Sequence, residues 1–183
     1  RLVREPIQLP HVEWELIDSE TAHLKLYRFG TDTYGIIKRE LERIKQLGVT
    51  QLILDLRGNS GGLIDSLLDI ASLFKDSGVI FHTKDNTGNV VSHEIKQGST
   101  WEMPTVVLID ASTASAAEVL AGFLQDHGLA LVVGEPSFGK GRIQTSIELD
   151  HGGVLHLSIE EYFTPKMRRV DGIGIIPDVF VSH

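Results

Sequence analysis

Apolar and polar positions recur with a period of two in some stretches of the chain and near 3.6 in others, and glycines stand at many of the changes. His23-Leu24-Lys25-Leu26-Tyr27-Arg28-Phe29 alternates, which predicts a strand with one buried face. Between residues 33 and 47, Ile36, Ile37, Leu41, Ile44 and Leu47 fall at helical spacing, and Gly48 supplies the stop. Residues 52–56 are almost continuously apolar, the pattern of a strand covered on both faces in a parallel sheet. The loop Arg57-Gly58-Asn59-Ser60-Gly61-Gly62 then opens into a second helix over 63–74. Residues 78–81 and 90–95 form a hairpin around Asn86-Thr87-Gly88-Asn89. A buried strand over 105–109 leads into a helix over 114–127, closed by Gly128, and a strand over 129–133 follows. Beyond a glycine-rich loop at 134–141, strands over 142–149 and 154–159 flank the turn His151-Gly152-Gly153. The tail is broken at Thr164-Pro165 and Ile176-Pro177. This β-α-β-α order with hairpins predicts an α/β fold, its sites at strand ends: the loops at 57–62, 110–115 and 134–141.

Composition narrows the class. A length of 183 residues suits one domain, and 42% apolar with 23% charged residues excludes wholesale disorder. The 25 acidic against 17 basic side chains give a net charge of -8, and no Lys/Arg block offsets it, so nucleic acid is not the expected partner. Every apolar run is far shorter than the ~20 residues of a membrane helix. With no cysteine, disulfides, cysteine zinc sites and thiol nucleophiles are excluded. No targeting or lipidation motif opens the chain, and Arg1-Leu2-Val3-Arg4 reads as the middle of a longer polypeptide.

Three motifs compete for the chemistry. Gly58-Asn59-Ser60-Gly61-Gly62 matches G-x-S-x-G between a strand and a helix, the nucleophile-elbow context, with Asp126 or Asp178 and His151 or His183 following in the required order. The same glycines also suit a loop whose backbone amides face an anion. Residues 134–141 match G-x-x-x-x-G-K but end in Gly141 where a phosphate loop needs Ser or Thr, and a strand follows instead of a helix. Lys140 is then a loop lysine between two glycines, solvated or pressed into a cleft. Asp110-Ala111-Ser112-Thr113-Ala114-Ser115 stands at a strand-to-helix junction, where Ser112 or Thr113 serves as N-cap and Ser115 falls in the first turn. A hydroxyl there feels the positive end of the helix dipole. A serine nucleophile needs a base, and a lysine can serve only when desolvation keeps it neutral.

Taken together, these segments resemble the C-terminal processing (tail-specific) peptidases, serine endopeptidases that use a Ser–Lys dyad. The resemblance rests on Arg4-Glu5-x-Ile7, on Leu54-Asp55-Leu56-Arg57-Gly58-Asn59-x-Gly61-Gly62-Leu63 and on Asp69-Ile70-Ala71-x-Leu73-Phe74. It continues in Ser112-x-x-Ser115-Ala116-x-Glu118, in Ala121-Gly122-x-Leu124-Gln125-Asp126-His127 and in Gly134-Glu135-x-x-Phe138-Gly139-Lys140-Gly141-x-x-Gln144. Tyr162-x-Thr164-Pro165 and Gly174-Ile175-x-Pro177-Asp178 close it. The family spacing of 25 residues from nucleophile to lysine selects Ser115 over Ser112. The chain departs from the pattern at Ser60, where proline is usual, at Ala117, where serine is common, and at Val170-Asp171-Gly172, but at no proposed catalytic position.

The resemblance implies an α/β fold of the ClpP/crotonase-like type, a mixed sheet flanked by helices, with residues 1–183 as one protease core. It implies Ser115 as nucleophile, Lys140 as base and Gln144 as the residue holding the amine, with Asp126 at a position credited with a role in some members. The oxyanion donors would be the amides of Gly61 and Ala116, with Gly62 the alternative. No metal or cofactor is implied. The partners would be polypeptides with exposed C-termini. A PDZ domain is expected in the full-length protein, with residues 1–12 as the segment following it. Family members are mostly periplasmic, cell-envelope, secreted or thylakoid-lumenal. Two rivals remain: a non-catalytic ligand- or peptide-binding module on the same scaffold, and an α/β-hydrolase-type esterase using Ser60.

Overall fold

A computed structural model describes residues 10–182. Arg4-Glu5-x-Ile7, most of the 1–12 segment and His183 lie outside the described residues. The chain runs β1 (Val12–Leu16), β2 (Thr21–Leu26), α1 (Thr33–Gln46), β3 (Gln51–Asp55), α2 (Ile64–Ala71), β4 (Val79–Asp85), β5 (Val90–Glu94) and β6 (Thr105–Ile109). It continues through α3 (Ala116–Asp126), β7 (Leu131–Gly134), β8 (Arg142–Glu148), β9 (Val154–Phe163) and β10 (Val179–Phe180).

Six strands form a mixed sheet in the order β1-β2-β3-β6-β7-β10, in which only β1 runs antiparallel to its neighbour. The register sets Leu52 and Leu54 beside Thr105 and Val107, and Val107 beside Val132. A second sheet, β5-β4-β9-β8, is antiparallel throughout. α2 packs against both α1 and α3. Every residue of α3 except Gln125 is buried, because it lies between β7 of the first sheet and β4 of the second. A helix apolar on all sides is stable only in such a place. α1 instead buries one stripe, Thr33, Ile37, Glu40, Leu41 and Ile44.

The fold class and most elements agree with the sequence pattern, and the differences have tertiary causes. β1 alternates as Val-Glu-Trp-Glu-Leu with most of its residues exposed, and its pairing with β2 holds it. β9 runs through Glu160 and Glu161 because β4 pairs with them, Lys84 opposite Glu161. β10 is two residues long and is secured by the Asp178 amide on the Val132 carbonyl and the Val181 amide on the Gly134 carbonyl.

At the end of β3, Asp55 is 1% exposed and takes hydrogen bonds from the Arg57 guanidinium (2.9 and 2.8 Å) and the Arg57 amide (2.9 Å), with His23 at 3.1 Å. Burial pushes this carboxyl up, but the Arg57 and His23 contacts outweigh it and hold the group below the usual carboxylate range. A depressed pKa stabilises the fold above the unfolded value of about 3.9, and that contribution disappears as the pH falls through the folded value. Asp55→Asn should therefore lower the melting temperature at pH 7, and its deficit against the parent chain should shrink between pH 4 and pH 2, followed by circular dichroism.

Candidate active site

Three loops meet at one end of the parallel strands. Asn59 is fully buried and joins them: its Nδ2 donates to the Leu26 carbonyl (2.7 Å), its Oδ1 accepts the Gly61 amide (2.8 Å) and its own carbonyl accepts the Ala114 amide (2.9 Å). Asp110 Oδ1 accepts the amides of Gly58 (3.1 Å) and Ser112 (2.9 Å). The Thr113 hydroxyl is 2.9 Å from the Leu56 carbonyl and accepts the Asp110 amide at 3.0 Å. With that hydroxyl engaged in the loop, α3 starts later than its sequence suggests, at Ala116, and Ser115 is the N-cap in place of Ser112 or Thr113.

Ser115 has φ 57° and ψ −123°, and among the described residues only Met167 is another non-glycine with positive φ. Such a conformation costs about 1–3 kcal/mol and is commonly kept where it aims a side chain. Ser60, the serine of the G-x-S-x-G match, has no positive φ. None of its candidate partners among the described residues bonds to it: Asp178 holds Gln125 and the Val132 amide, and His151 is exposed in the β8–β9 turn.

Gly61 and Gly62 let this turn close on the neighbouring loop. A Cβ on Gly61 (φ +100°) would lie 2.8 Å from Ser115 Cβ and 2.9 Å from the Ala116 nitrogen, and one on Gly62 (φ +145°) would lie 2.1 Å from the Phe29 carbonyl oxygen. Their amides differ. Gly61 is buried with its N–H on Asn59, whereas Gly62 is exposed, and the amides of Gly62 and Ala116 have no hydrogen-bond partner among the described residues.

The lysine loop is tied to the serine turn through the Phe138 amide on the Thr113 carbonyl (2.9 Å). Ser115, Lys140 and Gln144 line one cleft of about 220 Å³, whose apolar wall is Ile64, Leu67, Phe81, Val119 and Ile143. Lys140 precedes β8, so it shares this cleft with Gln144 through the loop and a bulge at Ile143/Gln144, not through strand alternation. A wider hollow of about 730 Å³ touches Ser115 and Lys140 as well, lined by His11, Arg28, Asp32, Ser60 and Gly62. Lys140 is exposed, the solvated of the two settings open to a loop lysine. The reason lies in its setting, since β8 is an edge strand of largely exposed residues that leaves the loop uncovered.

Asp126 is not brought to this cleft. It ends α3, roughly 16 Å along the helix from Ser115 at 1.5 Å per residue. There it accepts the Lys166 amide (2.8 Å) and the Arg168 guanidinium (2.6 Å) and anchors the turn after β9. Two residues passed over as mere motif members sit at the centre instead. Glu118 follows Ser115 at the spacing of a capping box, a signal legible in the sequence. The Tyr162 hydroxyl reaches the Lys140 carbonyl and lies 3.2 Å from the Ser115 carbonyl; no local pattern announces it. Burial, then the charge of Glu118, push its pKa far up, so it stays a donor.

An α/β scaffold of the ClpP/crotonase-like type, carrying a serine turn and a lysine loop on one cleft, is the class these features define. Residues 20–181 match the model of peptidase family S41, and the chain belongs to that family. It is 36% identical, over its whole length, to the carboxy-terminal-processing protease of Bartonella bacilliformis and to the carboxyl-terminal-processing protease of Synechocystis sp.. It spans 43% and 44% of those two relatives. The solved photosystem II D1 C-terminal processing protease superposes with a TM-score of 0.89 at 29% identity, covering 98% of this chain and 50% of that one.

Gly62→Ala should destabilise the fold by about 1–3 kcal/mol from backbone strain alone. Because its Cβ would meet the Phe29 backbone, the loop must also shift against the segment after β2, so the midpoint of a urea melt should fall.

Proposed function

We propose that the chain is the proteolytic core of a serine endopeptidase that cuts polypeptides at or near exposed C-termini. The observation that carries this reading is the strained Ser115 turn sharing a cleft with Lys140 and Gln144, next to two amides without a partner among the described residues. The names of the relatives and the match to family S41 support it.

Substrate lies along the cleft with an apolar side chain against Ile64, Leu67, Phe81, Val119 and Ile143. The exposed Lys140 loses water as the polypeptide covers it, which disfavours the ammonium form. The neutral amine, held by the Gln144 side-chain carbonyl, takes the proton from Ser115 Oγ as that oxygen attacks the scissile carbonyl. The amides of Ala116 and Gly62 bind the oxyanion; the Gly61 amide is committed to Asn59, and Gly61 serves the close approach of the loops. Protonated Lys140 gives its proton to the leaving amine, and water, activated by the same lysine, hydrolyses the acyl-enzyme. Asp126 acts at a distance as an anchor.

A PDZ domain elsewhere in the longer protein would deliver C-termini to this core. An extracytoplasmic location fits the family, and one relative at 35% identity is a chloroplastic processing peptidase of Arabidopsis thaliana.

Hydrolysis of fluorescent casein tests the assignment. Ser115→Ala should lower kcat at least about 1000-fold and abolish fluorophosphonate labelling. Ser60→Ala should keep both; loss only in that variant would favour the esterase reading, and activity in both would refute the dyad. Lys140→Arg should be inactive because a guanidinium stays protonated.

A further inference from the structure

The side chain of Glu118 is completely buried, and four donors converge on its two oxygens. Oε1 accepts the Ser137 hydroxyl (2.6 Å) and the Gly139 amide (2.6 Å). Oε2 accepts the amides of Ser115 (2.8 Å) and Lys140 (2.8 Å). The Tyr162 hydroxyl stands 3.4 Å from the same Oε2. No lysine or arginine forms an ion pair with this carboxylate among the described residues.

A helix cap alone does not require this. The capping role is met by the Ser115 amide, and an exposed glutamate performs it equally well. Burying a carboxylate without a counter-ion is costly unless its lone pairs are filled, and here three of the four partners come from a loop about twenty residues further along the chain. The geometric consequence is direct. Two amide nitrogens that each lie 2.8 Å from one oxygen can be no further apart than twice that distance. One atom therefore limits how far the backbone of the residue proposed as nucleophile can stand from that of the residue proposed as base.

We propose that Glu118 is a positioning residue that clamps the Ser115 turn to the Lys140 loop and so holds hydroxyl and amine in reacting register. The inference rests on the reading of Ser115 and Lys140 as nucleophile and base. Glu118 touches no reacting atom, and it acts through the two backbones.

The substitutions are graded by what they leave. Glu118→Gln keeps one oxygen acceptor, and its NH2 is best placed toward Ser137, whose hydroxyl can turn and accept, at the expense of the Gly139 contact. Glu118→Asp is a methylene too short to reach the lysine loop, and Glu118→Ala removes every bond. Casein hydrolysis, normalised to folded protein from melting curves, should show kcat reduced about 100-fold or more for Asp and Ala, a loss typical of a misplacement near 1 Å. KM should change little, and Gln should recover most of kcat. Amide proton shifts read the clamp without activity: the Ser115 and Lys140 signals should move upfield in Glu118→Asp and less in Glu118→Gln.

An unchanged kcat per folded molecule in Glu118→Asp overturns the proposal. So do unmoved amide signals, or a loss that follows the folded fraction alone with no recovery in Gln. Ser115→Ala run in parallel identifies which idea has failed. If it is inactive while Glu118→Asp is fully active, only the clamp is wrong; if it is active, the nucleophile assignment is wrong and the clamp falls with it.

Discussion

The buried side chain of Asn59 is the constraint on which the cleft depends. An amide in a dry interior must have its polar atoms satisfied, and Asn59 meets that demand by bonding the end of β2, its own loop and, through its carbonyl, the start of α3. Three segments distant in sequence are thereby brought to one point. The Asp110 and Thr113 contacts add a second stitch between the loops after β3 and β6. Ser115 can then be held at a backbone conformation that an isolated peptide would leave. The strain is local, and the bonds that maintain it are distributed over the surrounding loops.

Polar satisfaction of the same kind links the remaining part. The loop after β7 has no extensive apolar contact of its own: Phe138 at its tip is 66% exposed, and Lys140 is exposed too. Its position comes from hydrogen bonds to Glu118, Thr113, Tyr162, Gly172 and Ile175. Such bonds are directional, so they fix a loop more sharply than apolar packing would. They leave the lysine side chain open to water.

Local pattern made much of the fold legible. Residues 105–109 form the strand their apolar run indicates, and the helical spacing from 33 to 47 ends at Gln46 with Leu47 as cap. The glycine-rich loop at 134–141 leads into a strand, as its alternating successor required, which removes the phosphate-loop match. Ser115, Lys140 and Gln144, singled out by the spacing of several motifs in order, line one cleft. The G-x-S-x-G match misled for a physical reason: five residues describe a loop, but whether its serine is aimed at anything depends on the loop opposite.

The amino-acid sequence by itself determined which segments could be strands and helices and which residue types were available for chemistry, because periodicity and side-chain functionality are properties of a local stretch. Tertiary structure alone decided that Ser115 caps its helix under strain, that Asp126 stands at the far end of that helix, and that Lys140 meets water. It also decided that Glu118 and Tyr162 belong at the centre. Each of these depends on a hydrogen bond or a packing contact between residues far apart in the chain, and such a partner exists only once the sheet order is set.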